Sequence, residues 1–353
     1  MKYIDIAREK LEKIRDKKDI IILGIESSCD ETAVAITRGK DALASQISSQ
    51  IDIHARFGGV VPEIASRNHI LQIDNILEKA LLEADLQLKD IDVVAVTYGA
   101  GLLGALLVGL AYAKSLAYAL KIPLIGVNHI KGHIFANFIT YKNLEFPFIC
   151  LLASGGHTAV LKVKSYHKVD VLGSTCDDAA GEAFDKVARV LGLGYPGGPE
   201  VEKAAQKGEN SVFMPRPFKG EDHLNFSYSG LKTAVINYVH NTKSRGLNIN
   251  KYDVAKSFQT QAVGVLIENA IRAAKKENIF NIVLAGGVGA NTALREGLKK
   301  TAAENGIRVY LPPKSLCTDN ALMIAVAAYF AVKDNVQADS LEMDARASLG
   351  LNS

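Results

Sequence analysis

Phe146-Pro-Phe-Ile-Cys-Leu-Leu-Ala-Ser-Gly-Gly-His-Thr-Ala-Val-Leu-Lys-Val163 reads as strand, turn, strand. An apolar run ends at Leu152, a small polar turn spans Ala153 to Thr158, and a second apolar run follows from Ala159. The same order stands upstream. Ile20 to Ile25 is a buried-strand pattern, Glu26-Ser-Ser-Cys-Asp-Glu-Thr32 is a tight polar turn, and Ala33 to Thr37 is a second strand. A further pair of stretches also matches. Asp92 to Thr97 runs into Gly99-Ala-Gly-Leu-Leu-Gly104 and an apolar helix to about Leu120. Ile279 to Leu284 runs into Ala285-Gly-Gly-Val-Gly-Ala-Asn291 and a helix. Two halves with one order of elements predict a duplicated α/β domain, two lobes presenting glycine turns to one cleft. Turns of that kind, beyond strand ends, suit a nucleotide's phosphates.

Length and composition agree with that size of fold. The chain has 353 residues, 48% of them hydrophobic, enough for a large core in two lobes. The net charge of +3 permits contact with nucleic acid without arguing for it. Cys29, Cys150, Cys176 and Cys317 form no CxxC pair and read as reduced thiols of a cytoplasmic protein. The apolar run near Leu102 to Ala113 reads as too short and too rich in glycine to span a bilayer. No secretory signal is expected.

The lobes are expected at residues 20–128 and 129–320, with a C-terminal helix near 321–345 returning to the first. Residues 1–19 carry Ile4, Ala7, Leu11 and Ile14 at helical spacing, an amphipathic extension. The GxGxxG at Gly99 to Gly104 lacks the acid that a dinucleotide fold needs after the next strand, which ends at Val127-Asn128. His54 to Glu63 is a glycine-containing loop before a helix, and Arg67 and His69 could touch a substrate, although surface positions are the plainer reading.

Gly126-Val-Asn-His-Ile-Lys-Gly-His-Ile-Phe135 follows a strand and opens a helix. His129 and His133 stack one turn apart on it, so two imidazoles can meet one metal ion if a third ligand arrives. A solvated helix start is the plainer account. Asp319, in Cys317-Thr-Asp-Asn320, is a candidate third ligand, although alone it reads as a helix cap. Asp178, Glu182 and Asp185 are spaced to share a helix face, which a metal, a base or a ribose diol could use or which could simply be solvated, and Asp177 or Asp178 could cap that helix. Lys232 could meet a phosphate or stay solvated, and Ser227 or Ser229 could cap its helix.

Together these motifs resemble the universal tRNA adenosine threonylcarbamoyltransferase family, the TsaD-like proteins, in its bacterial form. Gly24-Ile-Glu-Ser-Ser-Cys-Asp-Glu-Thr32, Gly58-Gly-Val-Val-Pro-Glu63, His129-Ile-Lys-Gly-His133, Ser154-Gly-Gly-His-Thr158, Asp177 to Lys186, Tyr195-Pro-Gly-Gly-Pro199, Ser229-Gly-Leu-Lys-Thr233, Ala285 to Asn291 and Cys317-Thr-Asp-Asn320 follow the family's order. The resemblance implies a two-lobed fold like that of actin and the heat-shock chaperone ATPases (ribonuclease H-like), with a nucleotide cleft between the lobes. It implies transfer of threonylcarbamoyl from threonylcarbamoyl-AMP to N6 of adenosine 37 in tRNAs reading codons that begin with A, with release of AMP. It implies one divalent metal per subunit on His129, His133 and Asp319, iron by usual assignment and zinc as the alternative. Leu152, Ala153, Ser154, Gly155, Gly156, Asp185, Gly198, Asn291 and, more weakly, Glu202 become contacts of the adenylate. Partners implied are tRNA, a smaller paralogue of the same fold and a P-loop ATPase, with no membrane.

No general base stands out. Glu26 and Asp30 are the speculative choices for proton handling or metal support. Lys131 stands where many relatives carry Glu, and Ala100 where many carry Pro. A metalloprotease is one rival, but zincins place a Glu directly after the first histidine and this chain has Ile130. A sugar kinase or chaperone-type ATPase of the same fold is another.

Overall fold

The computed structural model describes residues 2–218 and 220–351. In chain order the first elements are α1 (Tyr3–Ile14), β1 (Ile21–Glu26), β2 (Glu31–Arg38), β3 (Asp41–Ser49), α2 (Ile51–Ala55), α3 (Pro62–Ala84), β4 (Val93–Gly99), α4 (Leu103–Leu120), β5 (Leu124–Asn128), α5 (His129–Phe135) and α6 (Asn137–Thr140). They are followed by β6 (Phe148–Ala153), β7 (Thr158–Val163), β8 (Val169–Ser174), α7 (Ala180–Val190), α8 (Gly197–Ala205), α9 (Ser229–Ser244) and α10 (Lys251–Glu277). The last are β9 (Asn281–Ala285), α11 (Thr292–Glu304), β10 (Arg308–Tyr310) and α12 (Ala321–Lys333).

The chain divides into two compact units. Unit 1 takes residues 1–144, 165–168 and 319–353, and unit 2 takes 145–164 and 169–318. Among the described residues each carries a five-stranded sheet, ordered β3-β2-β1-β4-β5 in one and β8-β7-β6-β9-β10 in the other. In both, the first three strands of the unit form an antiparallel meander and the last two join in parallel beside the first. The duplication read from the two strand–turn–strand stretches is thus a duplication of whole sheets. Strands β3 and β8 are absent from the expected elements. Both are edge strands, and their mixed burial hides the periodicity that marks a strand.

In unit 1 the sheet buries Leu23, Ile25, Val34, Ile36, Val94 and Val96 against Ile73, Ile76 and Leu77 of α3 and Leu106 and Leu110 of α4. The opposite face of β1 is covered by α12, which buries residues all around its circumference. Gly24 permits this close approach, since a Cβ there would lie 2.5 Å from the Ala321 carbonyl oxygen. The same helix draws α5 into unit 1, with Ile324 and Met323 packed against Gly132. The expected boundary at 128/129 therefore moves to 144/145, and Asp319 joins both histidines in unit 1.

Helix α4 has the length and composition to cross a membrane, contrary to the shorter run read from the sequence. Here it serves as a core helix, with Leu106, Leu110, Ala113 and Ala117 buried in unit 1. The N-terminal extension is also integral. Ala7, Leu11 and Ile14 are buried, Tyr3 Oη donates to the Ile122 carbonyl at 2.9 Å, and Lys333 Nζ donates to the carbonyls of Arg15 and Lys17.

Candidate functional site

Helix α5 starts abruptly because Asn128 caps it, its side-chain oxygen accepting the N–H groups of Ile130 at 2.8 Å and Lys131 at 3.4 Å. His129 is therefore the first helical residue and His133 lies one turn on. Their rings meet edge to face at 4.7 Å. Asp319 arrives from the start of α12. It is not that helix's cap, because Asn320 takes the role by accepting the Met323 N–H at 3.0 Å. The Asp319 carboxylate is left to the histidines, 3.2 Å from His133 Nε2 and 3.6 Å from His129 Nε2. The three candidate ligand atoms lie within 4.8 Å of one another. Two imidazole nitrogens and one carboxylate on a single point fit a divalent transition metal and leave coordination positions open.

Behind His129 stands Glu26, wholly buried at the end of β1. Its Oε2 lies 3.2 Å from His129 Nδ1 and accepts from Thr97 Oγ1 at 2.5 Å, while Oε1 accepts the Ser28 N–H at 2.5 Å. Ser28 Oγ is 3.1 Å from the same imidazole nitrogen. A carboxylate that holds Nδ1–H leaves Nε2 to face Asp319, the arrangement that orients metal-bound histidines. Burial works against charge on His129, but the carboxylates of Asp319 and Glu26 outweigh it and lift the imidazole to about 9. Burial also opposes the Asp319 carboxylate, yet His129 and His133 bring it down to about 2. Glu26 is held below the ordinary carboxylate range against its own burial, chiefly by His129.

Asp30 lies at the tip of the β1–β2 turn and is buried. Next to it, burial first, then the charges of Asp319 and Asp30, push the Glu31 carboxyl up to about 9. Glu31, Ser28 and Thr97 were not singled out from the sequence. The signal that could have found Ser28 and Glu31 is the density of hydroxyls and acids in that one turn. His69 departs from its expected surface position. It is buried between Thr32 Oγ1 at 2.7 Å and the Cys29 carbonyl at 3.0 Å.

The other predicted residues gather in unit 2. Leu152 and Ala153 end β6, and Ser154, Gly155 and Gly156 turn the chain, closed by Ser154 N–H donating to the His157 carbonyl at 2.8 Å. Gly286 lets the β9 turn pass beside this one. Its φ is +87°, and a Cβ would lie 2.5 Å from the Ala153 carbonyl oxygen. Asp185 on α7 accepts the Gly197 N–H at 2.8 Å where α8 begins, beside Gly198, and burial raises its pKa. Glu202 Oε1 accepts the Thr292 N–H at 3.0 Å where α11 begins. Asn291 caps α11 through Leu294 N–H at 3.0 Å and donates to Gln259 Oε1 at 2.9 Å. The starts of α8 and α11 and the Ser154–Gly156 turn thus lie within one unit, with the Gly197, Thr292, Leu294 and Ser154 N–H groups held by Asp185, Glu202, Asn291 and the His157 carbonyl.

The expected acidic face is resolved otherwise. Helix α7 begins at Ala180, so Asp178 precedes it and pairs with Lys232 at 2.6 Å and Lys186 at 3.0 Å. Lys232 is therefore engaged by a carboxylate. Asp177 caps α9 rather than α7, accepting from Ser227 Oγ, Ser229 Oγ and the N–H groups of Tyr228 and Ser229 at 2.5–3.2 Å.

The model of one family, TsaD, tRNA N6-adenosine threonylcarbamoyltransferase, matches residues 41–326. The chain belongs to the TsaD family. Relatives named tRNA N6-adenosine threonylcarbamoyltransferase include that of Clostridium novyi, 57% identical over 89% of this chain and 93% of its own length. That of Clostridium perfringens is 55% identical over 95% of this chain and 99% of its own length. Among solved structures, T. kodakarensis HypF aligns with a TM-score of 0.58 at 15% identity, over 90% of this chain and 48% of that one. The component A of Acidaminococcus fermentans (R)-2-hydroxyglutaryl-CoA dehydratase aligns with a TM-score of 0.51 at 16% identity, over 89% and 99%. At such identity these likenesses speak for the fold alone. They agree with the duplicated, actin-like α/β architecture of this TsaD-family chain.

Proposed function

We infer that the chain is a tRNA N6-adenosine threonylcarbamoyltransferase. The observation that carries this is that His129, His133 and Asp319, with ligand atoms within 4.8 Å, all lie inside the residues matched by the family. The donor is threonylcarbamoyl-AMP and the acceptor is N6 of adenosine 37 in tRNAs that read codons beginning with A. AMP is the leaving group.

The two units have separate tasks in this reading. Unit 1 holds one divalent metal, iron in preference to zinc, on His129, His133 and Asp319. When bound, the ion supplies Lewis-acid polarisation of an oxygen of the donor. Glu26 keeps the His129 ring in place through Nδ1 and, with both oxygens hydrogen-bonded and no exposure, serves metal support better than proton transfer. Unit 2 holds the adenylate. The turn from Leu152 to Gly156, with Gly198, Glu202 and Asn291, contacts the adenylate, and Asp185 accepts from a ribose hydroxyl. A mixed anhydride is already activated, so positioning the amine and stabilising developing charge supply most of the rate. Asp30 is the remaining candidate for proton handling.

The resemblance supports a smaller paralogue of the same fold and a P-loop ATPase as partners. The four free cysteines support work in the cytoplasm. The test is transfer of labelled threonine to tRNA by the reconstituted set, followed by nucleoside analysis. Full activity in His129→Ala would sink the metal-dependent mechanism.

A further inference from the structure

Lys131 sits between the two histidines in sequence and therefore on the far side of α5 from them. It is 5% exposed and lines a cavity of about 630 Å³ in unit 1. Its ammonium rests over the Tyr166 ring, 4.5 Å from the centroid. Among the described residues it has no hydrogen-bond acceptor and no ion-pair partner. The Asp334 carboxylate attracts it through space but is itself held by Ser165 Oγ at 2.9 Å and the His167 N–H at 3.0 Å. Its stem is buried while the ammonium faces the cavity, so its charge is directed at whatever the cavity holds, and an anion there would meet it.

The rest of the cavity extends this chemistry. Tyr98, Tyr166 and Arg346 line it, and their hydroxyls and guanidinium find no acceptor among the described residues. Asp339 and Glu342 line it too. One Asp339 oxygen accepts the Gly126 N–H at 2.7 Å and the other is uncommitted among the described residues. The volume falls in the range of about 300–1,000 Å³ typical of small-molecule sites. Donors and cations around Lys131, with carboxyls beside them, suit a ligand that is anionic in one part and a donor in another.

We propose that this cavity binds a small oxyanion-bearing molecule, a phosphate or carboxylate on a body with hydroxyl or amine donors, with the anion on Lys131 Nζ and the donors toward Asp339 and Glu342. A nucleoside monophosphate and a free amino acid share that chemistry. Asn128, which caps α5, lines the same cavity, so the occupant bears on the helix that carries His129 and His133. The inference does not depend on the proposed transfer reaction, because binding is read directly.

Met343 lines the cavity and is one of only four methionines, so methyl-labelled methionine gives a local probe in the full chain. AMP, L-threonine and inorganic phosphate are titrated separately. The expected result is a saturable shift of the Met343 methyl signal with AMP or with threonine, weakened about tenfold or more in Lys131→Leu. Response to AMP alone assigns a nucleotide, and response to threonine alone an amino acid. Unperturbed Met214 and Met323 signals in the ligand-free variant show that it is folded. Should Lys131→Leu not fold, Arg346→Ala, an exposed position, is read in the same way. A Met343 signal that none of the three probes moves, or equal affinity in the folded variants, overturns the proposal.

Discussion

Glu26 Oε2 stands 3.2 Å from His129 Nδ1, so a fully buried carboxylate fixes the ring whose other nitrogen faces Asp319. Nothing in the spacing of the two histidines foretells this partner, which comes from the far end of β1.

Glu26→Gln tests that relationship. It keeps the size of the side chain but removes the charge that favours Nδ1–H. Metal affinity is expected to fall about 10- to 100-fold, measured by competition with a chromogenic chelator. An unchanged affinity would show that Ser28 Oγ alone orients the ring.

The metal and the adenylate are assigned to different units, so their losses separate. His133→Ala is expected to empty the metal site, read by elemental analysis, while nucleotide binding persists. Asp185→Ala is expected to weaken adenylate binding by about tenfold and leave metal content intact. Loss of metal in Asp185→Ala with nucleotide binding preserved would reverse that assignment.

Asp177 makes part of the stability of unit 2 depend on acid. Burial is the largest single influence and opposes its charge, but the hydroxyls of Ser227 and Ser229 and the N–H groups at the start of α9 together outweigh it and hold its pKa below the ordinary aspartate value. The capped form is fully populated above the ordinary carboxylate range, and its contribution disappears as pH falls through the lowered value. Asp177→Ala is expected to cost about 1 kcal/mol at neutral pH. Thermal unfolding followed against pH should show that difference narrowing in acid.

The N-terminal helix is part of the folded body. Leu11 is fully buried in its docked face. Leu11→Ala is expected to destabilise the protein by about 2 kcal/mol or more, seen as a lower denaturant midpoint. A surface substitution such as Lys10→Ala should leave the midpoint unmoved.

Particular residues show how far the sequence reaches. The repeated strand–turn–strand stretches, the glycine turns and the four-residue spacing of His129 and His133 are local patterns. Backbone sterics and periodicity act over a few residues, so they were legible, and with them the duplicated fold and the candidate ligands. The sequence also carries the identity of Asp319. What it cannot carry is which groups meet across long separations. The pairing of Asp177 with the start of α9, the burial of His69, and the placing of Lys131 beside a cavity lined by polar side chains depend on chain segments tens to hundreds of residues apart. So does the membership of α5 in unit 1, which rests on α12 packing over Gly24 and Gly132. The sequence by itself determined the repeat and the candidate donor residues. Tertiary packing decided their partners, because burial and charge are set by whatever the rest of the chain brings alongside.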